Sequence, residues 1–245
     1  MSNHLILKIE NLSKRFFLHE QQKSIPSAQN VSMEAFSGKI TAITGDSGVG
    51  KSSILKCVYG TYLASQGSIF YYTKDGEYLD LAKVTEQEMI RLRKTDISFV
   101  TQFLHCLPRQ STIDVVAKPL FDLGMNQKEA REKTKHLLAE IKLPERLWNL
   151  SPSTFSGGEK QRVNIARGMI FSPRLLLLDE PTASLDKASV ERVVKVIERI
   201  KTSGTAILII LHDPDLVSRL ADFEVYLSPE DIKIKERSFE SVKTN

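Results

Sequence analysis

Three short stretches of the chain, 39–44, 175–178 and 206–211, are largely apolar and stop abruptly at Gly45, Asp179 and His212. Runs of that length predict strands buried on both faces. Segments 68–73 and 77–81 flank Lys74-Asp75-Gly76, and the Asp-Gly step predicts a hairpin. A different rhythm governs 127–142, where Ala130, Leu137, Leu138 and Ile141 fall on one face and Glu129 and Lys133 form an i,i+4 pair on the other. That is the pattern of an amphipathic helix. Val190, Val193, Val194, Ile197 and Ile200 mark a second such face, which stops at Gly204. Strand, helix and strand in this order predict an α/β fold with a largely parallel sheet covered by helices. No repeat, low-complexity tract or Pro/Gly-rich linker divides the chain.

Composition narrows the class. At 245 residues, 41% hydrophobic and 26% charged, the chain holds enough apolar material for a sizeable core, which excludes a mostly disordered protein. The apolar runs are too short to cross a bilayer, so direct membrane insertion is not expected. A single apolar patch at 5–7 followed by Glu10 does not read as a signal peptide. Cys57 and Cys106 form neither a disulfide framework nor a metal motif, and a cytoplasmic setting is expected. A net charge of +4 is too mild to argue for nucleic acid or a membrane surface.

The chemistry gathers at three strand ends. Gly45-Asp46-Ser47-Gly48-Val49-Gly50-Lys51-Ser52 matches G-x-x-x-x-G-K-[ST], with a strand before it and a helical pattern beginning at Ser53. Glycines let backbone N–H groups curl around phosphate oxygens, and the helix adds its positive end. Lys51 would neutralise the β- and γ-phosphates and Ser52 would ligate Mg²⁺. At the second strand end, four leucines deliver Asp179 to hold Mg²⁺ through water and Glu180 to polarise the attacking water. His212 ends the third strand, in position to sense a γ-phosphate; His4, His19, His105 and His136 default to structural or solvent roles. These motifs predict hydrolysis of a nucleoside triphosphate with Mg²⁺.

A second anion cradle lies between the first two. Phe155-Ser156-Gly157-Gly158-Glu159-Lys160-Gln161-Arg162 puts a hydroxyl and free amides at the start of a helical stretch, 159–168. This segment resembles the signature loop of the ATP-binding cassette (ABC) ATPases, commonly Leu-Ser-Gly-Gly-Gln, with Phe155 and Glu159 as departures. Other family elements follow in order: Gln102 after strand 97–101 matches the Q-loop, Ala183-Ser184-Leu185-Asp186 the D-loop, and His212 the switch histidine. Phe16 stands where many members place an aromatic on adenine, with Phe17 as the neighbouring alternative. The resemblance implies a P-loop NTPase fold with a mixed, largely parallel core sheet, a small antiparallel β subdomain and a helical subdomain. Residues 1–245 would form one cassette, with core 1–85 and 153–245 and the helical part at about 86–152. It further implies catalytic roles for Glu180, His212 and Gln102, and Mg²⁺ held by Ser52, Gln102 and Asp179. ATP would be bound by Phe16, the loop from Gly45 to Ser53, Ser156, Gly157, Gly158, Glu159 and Asp186. Two copies would pair head to tail, the phosphate loop of one facing the signature loop of the other. A chromosome-maintenance cassette would need a long coiled-coil insertion, and Lys51 and Ser156, only 105 residues apart, leave no room for one.

The stretch from Leu143 through Pro144 and Trp148 to Phe155, continuing over 163–168, resembles the L subunits of the bacterial carbon–phosphorus lyase system. So do 17–22, 59–63 and 102–104. This implies soluble lyase subunits as partners and support for forming ribose 1-phosphonate 5-triphosphate from MgATP and a phosphonate, with adenine released. The docking face would run from Gln102 to Arg109, including Phe103, Leu104 and Leu107. The alternative is the ATPase subunit of a membrane ABC transporter.

Overall fold

The computed structural model describes residues 4–18, 23–107, 109–183, 185–228 and 232–236. Its centre is a six-stranded sheet built from β3 (Ile40–Gly45), β6 (Ile97–Val100), β7 (Leu175–Leu178), β8 (Ala206–Ile210), β9 (Phe223–Leu227) and β10 (Ile232–Glu236). The order is β10-β9-β3-β8-β7-β6, and every pair is parallel except β10 with β9. A second, antiparallel sheet has the order β2-β1-β4-β5, from β1 (Leu5–Leu18), β2 (Lys23–Phe36), β4 (Gln66–Tyr72) and β5 (Tyr78–Asp80). The expected mixed, largely parallel core sheet and the separate antiparallel sheet are therefore both present. The hairpin forms at the Asp-Gly step, with Tyr72 opposite Tyr78 and Gly76 at φ +82.

β3, β6, β7 and β8 of the large sheet divide their side chains between two cores. Leu176 and Leu178 of β7 and Ile207 and Ile209 of β8 face one; Leu175, Leu177, Leu208 and Ile210 face the other. The period-two alternation of a strand, with apolar layers on both sides, is why these runs carry no polar position. The first core is closed by α3 (Thr112–Asp122), α4 (Gln127–Glu140), α5 (Gly157–Met169), α6 (Lys187–Thr202) and α7 (Pro214–Leu220). The second is closed by the antiparallel sheet, α1 (Lys51–Val58) and α2 (Glu86–Thr95). β6, inside the span 86–152, is the edge strand of the large sheet, while α3 and α4 pack with α5.

Because the strands are parallel, their carboxyl ends share one edge, and that edge carries Gly45, Asp179 and the segment entering His212. The start of β3 is locked at the opposite edge. Asp222 accepts from the Ile40 N–H at 2.8 Å and pairs with Lys39 at 3.1 Å and Lys201 at 2.7 Å. Among the described residues no helix is long and apolar enough to cross a membrane.

Candidate functional site

The loop between β3 and α1 takes its shape from glycines that nothing else could replace. Gly45 and Gly50 have φ of +130 and +92, and a Cβ on either would overlap a backbone carbonyl, that of Leu227 or of Ser27. Only glycine adopts such φ values at no steric cost. Gly48, at φ +85, faces open space, where the loop is free to receive a ligand. Lys51 begins α1, is only 5% exposed, and folds its Nζ back to the carbonyl oxygens of Gly45 and Asp46 at 2.8 and 2.7 Å. Burial lowers its pKa against the opposing pull of Glu180, Asp46 and Asp179. The ammonium thus hangs on neutral acceptors that phosphate oxygens would outcompete.

Ser52, one residue on, donates to Asp179 Oδ1 at 2.8 Å. Asp179 follows β7 directly, is 8% exposed, and has its carboxyl pushed upward by burial, against the Ser52 hydroxyl, which favours the ionised form. A half-buried hydroxyl–carboxylate pair beside a phosphate cradle is a hard oxygen donor set, which fits Mg²⁺. Glu180 follows in the left-handed region at φ +50, a backbone state costing about 1–3 kcal/mol for a non-glycine residue. Both its oxygens are held: His212 Nε2 lies 2.8 Å from Oε1, and Gln102 Nε2 donates to Oε2 at a longer 3.4 Å. Lys51, Ser52, Asp179, Glu180, Gln102 and His212, drawn from four separate segments, therefore meet at one sheet edge.

Phe16 is linked to this edge by strand register. Lys14 pairs with Ala28 and Arg15 with Pro26, so Ser27 is an extra residue on β2. Its carbonyl abuts Gly50, and its hydroxyl meets the Ser53 hydroxyl at 2.8 Å. Phe16 sits next along β1, its ring edge-on to Tyr62 at 5.2 Å, while Phe17 is 54% exposed.

Ser156 is the N-cap of α5 and forms a capping box with Glu159. Gly158 lets α5 approach α6, because a Cβ there would strike the Ser189 side chain. Asp186 caps α6, accepting from the Ser189 N–H at 3.0 Å and hydroxyl at 2.6 Å. Ser184, between Ala183 and Leu185 of the D-loop segment, lies outside the described residues, as do His19 and Pro108. Among the described residues no hydrogen bond joins Ser156–Glu159 to the Gly45–Ser53 loop.

Two anchors escaped the sequence reasoning. Asn164 donates to the Thr101 carbonyl at 2.8 Å and Arg167 to the His105 carbonyl at 2.8 Å. Both sit on α5 and tie the backbone around Gln102 to the signature helix. The only signal in the sequence is their polar character within an otherwise buried helix, which names no partner.

The profile of the ABC transporter family matches residues 28–183. This chain belongs to the ABC transporter family. Membership implies ATP binding and hydrolysis. Over 217 residues the cassette is 35% identical to the lipoprotein-releasing system ATP-binding protein LolD of Shewanella sp. (strain MR-4), covering 88% of this chain and 90% of that one. It is 32% identical to an uncharacterized ABC transporter ATP-binding protein, YvrO of Bacillus subtilis (strain 168), covering 95% and 97%. In three dimensions it resembles the dimeric, ADP- and phosphate-bound structure of the ATP-binding cassette MJ0796, with a TM-score of 0.83, 26% identity, and coverage of 96% and 100%.

These relatives overturn the carbon–phosphorus lyase reading, because transporter ATP-binding proteins match nearly the whole cassette. The structure supplies the physical reason. Within the stretch that suggested the lyase subunit, Leu143, Leu147 and Phe155 are buried, and Trp148 Nε1 donates to the Leu143 carbonyl at 3.0 Å. The Leu150 carbonyl accepts from the Thr112 N–H and hydroxyl, both at 2.9 Å. Those residues meet the packing needs of α3 and α5, and packing does not identify a soluble partner.

Proposed function

We propose that the cassette is the ATP-hydrolysing subunit of a membrane ABC transporter, acting as a head-to-tail homodimer. The observation that carries the proposal is the double grip of His212 and Gln102 on Glu180, beside the Ser52–Asp179 pair and the glycine cradle. A carboxylate fixed by both oxygens is preorganised to take a proton from an attacking water. In this reading the phosphates lie in the loop from Gly45 to Ser53, with Lys51 exchanging carbonyl oxygens for phosphate oxygens. Phe16 stacks on adenine. Ser52, Asp179 and Gln102 would hold Mg²⁺, which supplies charge neutralisation across the β- and γ-phosphates. Ser156, Gly157 and Gly158 of the second copy offer helix-end amides and a hydroxyl to the γ-phosphate, and Asp186 positions the adjoining loop.

The membrane partner is assigned to a groove of about 490 Å³ lined by Tyr59, Arg93, Phe99, His105, Lys118 and Arg167. Phe103 and Leu107, 65% and 68% exposed, belong to the same segment as His105. Its aromatic and basic lining, in which Lys118 is already paired with Asp122, suits an amphipathic segment carrying acidic side chains. Purification of the tagged cassette from membranes in mild detergent tests the proposal. A polytopic membrane protein in fixed ratio, which raises its Mg²⁺-dependent ATPase activity, is expected. Partner-free elution, with ATPase activity that membranes do not alter, contradicts it.

A further inference from the structure

Glu159 stands where the family's signature usually has glutamine, and its chemistry argues against a phosphate-binding role. An ionised carboxylate accepts hydrogen bonds and donates none, so it cannot hold a phosphate oxygen. In the cassette, Glu159 Oε2 accepts from the Ser156 N–H at 2.9 Å and from the Ser156 hydroxyl at 2.7 Å. The Ser156 Oγ in turn faces the Glu159 N–H at 3.4 Å. The hydrogen bond from Ser156 holds the carboxyl below its usual range, so it is charged at neutral pH. Arg146 and Arg162 act on the carboxyl through their charge without hydrogen-bonding it, the Arg162 Nη1 donating to the Lys142 carbonyl at 2.7 Å. Two of the donors that the start of α5 would offer a phosphate, the Ser156 N–H and hydroxyl, are thus taken up by the helix's own anion.

We infer that Glu159 is a positioning residue, an internal anion that holds Ser156 back from the partner's triphosphate and so weakens the ATP-bound pair. The inference rests on the head-to-tail reading proposed above. Pairing then requires the Ser156 hydroxyl to pass from the carboxylate to a phosphate oxygen, and it brings two negative groups together. Glu159→Gln keeps an oxygen that accepts from the Ser156 N–H, preserving the capping box, while it removes the charge and puts an NH2 donor in place of one acceptor oxygen. Glu159→Ala removes the charge and the cap together.

The test is sedimentation of the hydrolysis-deficient Glu180→Gln cassette with MgATP, alone and combined with each Glu159 substitution, at low and high salt. Pairing at least about threefold tighter in the Glu159→Gln combination is expected, with the gap narrowing as salt screens the charge. Glu159→Ala also tightens pairing if charge governs it, and loosens pairing if the cap is all that Glu159 provides. Pairing by the parent with no gain, or a loss, on Glu159→Gln overturns this inference alone. Failure of every variant to pair at saturating ATP overturns it together with the head-to-tail reading.

Discussion

His212 reaches Glu180 across the ends of two adjacent parallel strands, placing Nε2 2.8 Å from Oε1. Gln102 meets the second oxygen only at 3.4 Å, so the histidine is the closer restraint on a carboxylate whose backbone is already in the left-handed region. His212→Ala is therefore expected to lower kcat for ATP hydrolysis by about 10²-fold or more. The KM for ATP should change little, because the phosphate cradle is untouched. Steady-state kinetics on the purified cassette checks this, and a change confined to KM would contradict it.

Gly50 is where the phosphate loop touches the antiparallel sheet, through the Ser27 carbonyl. Gly50→Ala puts a methyl group into that carbonyl and strains a φ of +92. We expect loss of ATP binding by calorimetry and a destabilisation of about 1–3 kcal/mol in urea melts. Gly48→Ala has open space around its Cβ, so it should cost less stability while still impairing nucleotide affinity.

Phe16 and Phe17 differ in placement: Phe16 sets its ring against Tyr62, while Phe17 is 54% exposed. Phe16→Ala should raise the KM for ATP about tenfold, the scale of one lost base stack, with kcat nearly unchanged. Phe17→Ala should leave both constants near wild type. The reverse pattern would assign adenine to Phe17.

Asp222 gives the fold a pH dependence of known sign. Burial alone would raise its carboxyl pKa, but Lys201, the Ile40 N–H and Lys39 outweigh that and pull it below the usual carboxylate range. Its contribution to stability is therefore complete above the unfolded value of about 4 and fades as pH falls through the lower folded value. Asp222→Asn should cost about 1–3 kcal/mol at pH 7 in urea melts. The gap from wild type should shrink as the pH approaches 3.

The sheet and the phosphate loop were legible for a shared reason: their physics dictates residue type. Leu175–Leu178 must be apolar throughout because alternate leucines enter different cores. Gly45, Gly50 and Lys51 are fixed by carbonyl overlap and by charge. Long-range tethers were not legible. Asn164 and Arg167 act on carbonyls about sixty positions away, and a carbonyl leaves no mark on the sequence. The two fourteen-residue strands β1 and β2 carry several register shifts, and the one exposing Ser27 to the phosphate loop has no local signal. The segment around Trp148 misled because its distinctive residues serve packing.

In the proposed head-to-tail pair, two incomplete half-sites close over ATP when two cassettes meet. Equilibrium sedimentation of Glu180→Gln with MgATP tests it most directly. A dimer is expected that forms with ATP, dissolves when ATP is replaced by ADP, and is lost when Lys51→Ala is added. A cassette that stays monomeric at saturating ATP, or dimerises equally without nucleotide, would contradict it.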